Sequence, residues 1–229
     1  LKFVLSRSTV SQPIYPRSGS EFTVSVQLTP PYSLWDGKDY KSTALSEQER
    51  YNWIEFHKWM LKGQWFTPLT RNGNLVLMAR AEMGYLGHYN KNKVSPFERF
   101  EVGGDGMTGY NMYGIDIISM RGYDDGALDP VGSNYSCAYN KYTMELRYPL
   151  LLKGQTNIYV LGFLEGGNGF TSWKEFSPFK IKRSAGIGVR LFLPVVGMVG
   201  VDWGWGFDPA AGQTKRSGSH IHFTMGMQF

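Results

Sequence analysis

Residues 21–29 read Glu21-Phe22-Thr23-Val24-Ser25-Val26-Gln27-Leu28-Thr29, apolar at every even position and polar at every odd one. Successive side chains on a strand point to opposite faces, so this segment predicts a β-strand with Phe22, Val24, Val26 and Leu28 on one side. The alternation recurs down the chain. Leu75, Leu77, Ala79, Ala81, Met83 and Tyr85 share a face opposite Arg80 and Glu82, and Tyr142, Met144, Leu146 and Tyr148 oppose Thr143, Glu145 and Arg147. Ala185, Ile187, Val189, Leu191 and Leu193 oppose Ser184, Gly186, Gly188 and Arg190. Val199, Val201, Trp203, Trp205 and Phe207 oppose Gly200, Asp202, Gly204 and Gly206. The last run sets Ile221, Phe223, Met225, Met227 and Phe229 against His222, Thr224, Gly226 and Gln228. Less regular strands are expected at 2–9, about 51–66 and 157–166, which makes nine.

Turn chemistry separates these runs. Pro16-Arg17-Ser18-Gly19, Arg71-Asn72-Gly73-Asn74 and Leu193-Pro194-Val195-Val196-Gly197 are short connections. The others are long, at about 31–49, 87–139, 168–182 and 208–217. Composition agrees with an all-β chain rich in turns. The 229 residues include 28 Gly, 15% are aromatic and only 19% are charged, which excludes a disordered polymer and disfavours a helical bundle, where each Gly costs about 1 kcal/mol relative to Ala. Cys137 is the single cysteine, so no internal disulfide framework exists. The net charge of +5 is spread along the chain, without the basic patch that nucleic-acid binding requires.

An alternating strand leaves open which solvent meets its apolar face. A soluble β-sandwich alternates too. Three features favour lipid. The apolar faces end in aromatics, among them Trp59, Trp65, Tyr142, Tyr148 and Trp203 to Phe207, as interface girdles do. The opposite faces carry Gly, Arg, Glu, Gln and Asp, suited to a wet lumen, and no amphipathic helix is available to cover the sheet. Strands of about 9–13 residues also cross a bilayer at a tilt. The expectation is a transmembrane antiparallel β-barrel, closed because lipid leaves a strand edge unsatisfied. Such barrels have an even number of strands. Nine strands, and an alternation that starts at Leu1, therefore suggest a piece of a longer protein.

The 87–139 connection exceeds the length of an idle turn. It holds Phe97-Glu98-Arg99-Phe100-Glu101-Val102-Gly103-Gly104 and then Arg121-Gly122-Tyr123. Here the chain resembles the outer-membrane protein 85 superfamily, the insertases of that family in particular, and the resemblance runs end to end. An aromatic segment leading to Gly-Gly, followed by an Arg-Gly-Phe/Tyr tip on a loop folded into the barrel, marks that family. Glu145-Leu146-Arg147-Tyr148-Pro149 and Leu164-Glu165-Gly166-Gly167 are similar to its next two strands. Pro13 to Ser20 resembles an upstream turn, and Phe223 to Phe229 its closing strand. The stretch Met107–Ile118 is longer than the family's usual spacing. On this resemblance, residues 1–229 are the C-terminal part of the barrel, the last nine or so of about sixteen strands, without the upstream strands and the periplasmic repeat domains.

The resemblance implies a loop clamp of Arg121, Gly122, Tyr123, Glu145 and Glu165. The chemistry is independently reasonable. A guanidinium away from bulk water needs carboxylate partners, and Glu145 and Glu165 sit on the expected inward faces of adjacent strands. Gly122 would let the backbone approach the wall. The alternative is a solvated Arg121, with Glu145 paired to Arg147 or Arg80. The resemblance further implies folding and insertion of other β-barrels into the bacterial outer membrane, with strands templated at the barrel seam. Phe223, Met225, Gly226, Met227 and Phe229 would form one side of that seam. Expected partners are outer-membrane lipids, unfolded outer-membrane proteins and accessory subunits, and no cofactor or metal. The alternatives are a two-partner secretion pore of the same superfamily, or a passive porin-like barrel. No catalytic motif is present, so no enzyme is expected. His220 and His222 share a face and read as wet lumen surface, and Asp124-Asp125 as an acidic loop with too few oxygens to define a calcium site.

Overall fold

A computed structural model describes residues 1–41, 45–107, 113–132, 135–153, 156–194 and 197–225, and the side chain of residue 153 is not among what it describes. Its strands, in chain order, are β1 (Lys2–Ser8), β2 (Gly19–Leu28), β3 (His57–Pro68), β4 (Val76–Gly87), β5 (Phe100–Val102), β6 (Asp116–Ile118), β7 (Ala138–Lys153), β8 (Thr156–Phe170), β9 (Lys182–Leu193), β10 (Gly197–Pro209) and β11 (Arg216–Met225). Nine of them form one antiparallel sheet in the order β1-β2-β3-β4-β7-β8-β9-β10-β11, while β5 and β6 pair separately and in parallel. The sheet is open among the described residues, with β1 and β11 at its edges.

The nine expected strands coincide with the nine in the sheet, with two differences. Residues 51–56 are not strand. Helix α1 (Glu47–Tyr51) ends there, started by a capping box in which the Ser46 hydroxyl accepts the Glu49 N–H while the Glu49 carboxylate accepts the Ser46 N–H. The strand starts at His57 instead. The last strand begins at Arg216, and Gly226, Met227 and Phe229 lie outside the described residues.

Period two decides the two faces. Leu146, Val189, Val201 and Phe223 are exposed on the outer face, with Val24 and Leu77 half-buried, and none of the six belongs to either buried cluster. Trp59, Trp65, Tyr148, Trp203, Trp205 and Phe207 are exposed on the same face. At the long-loop end the connection after β8 folds onto that outer face, and Trp173 packs on Tyr85 with ring centroids 5.0 Å apart. Pro149, which has no N–H to give the ladder, sits where the β7–β8 register slips.

The inner face is drier than its composition suggests. At the short-turn end Tyr15, Phe66, Val76, Met78, Tyr159, Leu161, Phe163 and Met198 form a buried apolar cluster. Tyr15 closes it from the β1–β2 connection, its hydroxyl donating to the carbonyls of Asn74 and Arg147 at 2.9 and 3.0 Å. At the other end a second cluster joins Phe100, Val102, Ile118, Met120, Tyr123 and Leu128 of the long loop to Leu86 and Tyr139 of the wall. The loop is packed inside the curve of the sheet.

Candidate functional site

Hydrogen bonds build the loop from its own backbone before it meets the wall. β5 and β6 pair Phe100 with Asp116 and Val102 with Ile118. The Ser136 N–H donates to the Phe100 carbonyl at 2.7 Å and the Leu128 N–H to the Val102 carbonyl at 3.0 Å. Gly103 and Gly104 are required here. Gly104 has φ +72°, and a Cβ on it would land on the Asp125 carboxylate, as one on Gly103 would on the Asp124 carbonyl. These two glycines let the Asp124-Asp125 turn close against β5. Gly104 then donates its N–H to the Tyr123 carbonyl at 3.2 Å and accepts the Met120 N–H at 2.9 Å. The segment Met120–Tyr123 is fixed by that exchange.

Arg121 stands at its centre and is 7% exposed. Its Nη2 donates to Glu145 Oε1 and to Glu165 Oε1, both at 2.7 Å. Nε donates to Glu165 Oε1 at 3.1 Å, and the backbone N–H to Glu165 Oε2 at 2.9 Å. Nη1 lies 3.6 Å from Asp202 Oδ2, and the guanidinium sits 3.7 Å above the Phe163 ring. Burial opposes the charge, but Glu165, Glu145 and Asp202 outweigh it and hold the guanidinium protonated more firmly than usual. Glu145 also accepts from Arg147 at 2.8 Å, so it serves two arginines, whereas Arg80 is 3.5 Å from Glu82. Thr143 donates to Glu165 at 3.2 Å, and Arg190 holds Asp202 with two bonds of 2.8 and 2.6 Å.

The neighbouring tip residues rest on the last three strands. Gly122 has φ +87°, and a Cβ there would lie 2.9 Å from Ser184 Cβ and 3.0 Å from the Gly206 nitrogen. A Cβ on Gly204 or Gly206 would in turn strike the Gly122 backbone at 2.8 or 2.4 Å. Tyr123 is fully buried, and its hydroxyl donates to the Arg183 carbonyl at 2.8 Å. The Gly122 N–H donates to His222 Nε2 at 2.8 Å. Three loop residues thus engage β7 and β8 through Glu145 and Glu165, β9 through Arg183, β10 through Gly204 and Gly206, and β11 through His222.

The structure brings all five expected clamp residues together. Of the expected seam residues, Phe223 and Met225 lie exposed on the outer face of β11, paired with Val201 and Val199, and the other three lie outside the described residues. His222 corrects the sequence reading: it is a buried acceptor, 5% exposed, and not wet surface. Asp202, Arg190 and the Gly204/Gly206 floor were also missed as site residues. Their signal was available, since alternation already put them with His222 on one inner face. Among the described residues no three His, Cys, Asp or Glu side chains are grouped to hold a metal.

Residues 1–229 match the family described as the Omp85 superfamily domain. Among solved structures the chain is similar to BamA from Haemophilus ducreyi lacking POTRA domains 1–3, with a TM-score of 0.64 and 18% identity. That match covers 97% of this chain and 40% of the other, so the chain spans well under half the length of the protein it matches. No curated protein matches the sequence.

Proposed function

The chain belongs to the Omp85 superfamily and is an outer-membrane barrel of that family, and from this we propose that it is the C-terminal part of an insertase. In this reading the protein folds other β-barrel proteins and inserts them into the bacterial outer membrane. Upstream strands complete the barrel, and accessory subunits assist it. The work is done by strand pairing in a lipid environment, with no bond made or broken. What supports the reading is the family match over residues 1–229 together with the bond that ties the loop tip to β11, from the Gly122 N–H to His222. In the complete barrel the far side of β11 meets the upstream strands, and opening that junction would expose backbone donors and acceptors on which an incoming strand can be templated. The clamp favours this reading over a passive pore, because Arg121 and its partners hold the loop across the lumen face, in the path a solute would take.

The test is assembly. The full-length protein in phospholipid vesicles should speed the folding of a urea-denatured β-barrel substrate at least several-fold over empty vesicles, read by its heat-sensitive gel migration. A disulfide that locks the β11 edge to its neighbour should remove the gain. Equal rates with and without the protein would end the insertase reading, and export of a partner polypeptide by the same vesicles would establish a secretion pore.

A further inference from the structure

We propose that His222 is a positioning residue that ties the Arg121-Gly122-Tyr123 tip to the last strand of the sheet and lets go when it is protonated. The bond from the Gly122 N–H to Nε2, 2.8 Å long, is buried. To accept it, Nε2 must be bare, so the imidazole is neutral with its proton on Nδ1. A second proton would go to Nε2. The imidazolium would then point an N–H at the N–H of Gly122, donor against donor, in a place where His222 is 5% exposed and water has little room to bridge them. A small adjustment of the tip within its seat does not relieve this, because the Gly204 and Gly206 backbone packs so close to Gly122 that not even a Cβ fits between them. Either the tip or β11 has to move.

The charges facing His222 come from every element around it: Asp105 from the loop, Glu165 from β8, Asp202 from β10 and His220 from its own strand. Arg121 and Arg190 stand behind the carboxylates and are bound to them. His220 Nδ1 lies 3.2 Å from Asp124 Oδ1, and the Asp124 side chain is largely in solvent, where such a pair contributes little beside the buried bond at Gly122. Coupling of this kind is reciprocal. A strand that pairs with β11 at an opened seam and displaces it would loosen the tip, and loosening the tip would free β11. That consequence rests on reading β11 as the seam; the bond itself does not.

Hydrogen exchange of the full-length protein in phosphatidylcholine–phosphatidylglycerol nanodiscs tests this, at pH 8 and pH 5 and corrected for intrinsic exchange. The peptide carrying residues 119–125 should be protected at least tenfold more at pH 8 than at pH 5, and the β11 peptide should follow it. In His222→Gln the amide oxygen reaches the Nε2 position and does not titrate, so protection should be equal at both pH values. His222→Phe should expose the tip at both, and His220→Asn should keep the wild-type step. The proposal is overturned if the Gln variant retains the step, if the Phe variant keeps Gly122 protected, or if the step follows His220. The expected exchange pattern in a protein that assembles no substrate at either pH would support the latch and end the insertase reading.

Discussion

At the scale of single residues, the clamp depends on shape as well as charge. Arg121 reaches Glu145 and Glu165 with one nitrogen, adds a second bond to Glu165 through Nε, and lies over the Phe163 ring. A lysine ammonium is a point charge without the planar fork, so Arg121→Lys keeps the charge and loses the geometry. Breaking a buried ion pair costs about 3–5 kcal/mol when one charge is left behind; with the charge retained, Arg121→Lys should cost about 2 kcal/mol, and Glu165→Gln should fall in the same range. Urea unfolding of the barrel in vesicles measures both. The double variant should cost less than the two together, since each removes the same contact. Asp129 carries a different prediction. It accepts the Val102 N–H and the Ser136 hydroxyl through Oδ1, while Oδ2 is buried without a partner. Burial pushes its carboxyl up to about 7, against the opposing pull of the Ser136 and Val102 bonds. An unfolded Asp titrates near 4. Between these values the folded loop binds the extra proton, so its stability is greatest in acid and falls as pH rises towards 7. Asp129→Asn should remove that fall. At pH 8 the variant loop should exchange its amides several-fold more slowly than wild type, and below pH 4 the two should coincide.

At the scale of elements, the loop and the wall are matched through glycine. Gly122 has a positive φ and meets backbone on β10, and Gly204 and Gly206 leave that strand bare beneath it. Gly122→Ala should therefore be worse than an ordinary surface change, and Gly204→Ala should be similarly damaging although it is in regular strand. Both should cost about 2 kcal/mol or more through strain and overpacking, whereas Gly132→Ala, with positive φ but open space around it, should cost about 1 kcal/mol. Loss of the protease-resistant loop fragment on brief trypsin treatment would rank the three. The same contrast shows what was legible in the sequence. Strands declare themselves by period two: six runs alternate cleanly, and the less regular runs at 2–9, about 51–66 and 157–166 supply the other three. The clamp residues were found because Arg121-Gly122-Tyr123, Glu145 and Glu165 sit in a recognisable order. His222 was not, because a histidine on an inner face is the same letter whether it faces water or a loop placed 100 residues earlier. The strand at 51–56 failed for a local reason: Ser46 and Glu49 start a helix that alternation does not report. The dryness of the turn end was missed because Tyr15, which plugs it, is in a connection without periodicity.

At the scale of the whole molecule, everything depends on which medium covers the outer face. Leu146 is mid-strand in β7 and 46% exposed, with Met144 and Tyr148 exposed on either side. In water such a row of apolar side chains is an aggregation liability, and a charge placed within it would be neutral or beneficial. In a bilayer the same charge is desolvated. Leu146→Arg should then cost about 2–4 kcal/mol, while the same change at Phe207, near the end of β10, should cost about 0–1 kcal/mol because the guanidinium can reach the interface. Depth dependence is the diagnostic, since neither loss of packing nor loss of β-propensity varies with distance from the midplane. Unfolding midpoints of the full-length barrel in vesicles supply the two values. A large penalty at Leu146 with a small one at Phe207 requires lipid on this face. Equal and small penalties would mean that water or protein covers it, and β11 would then lie beside no membrane into which a strand could be delivered.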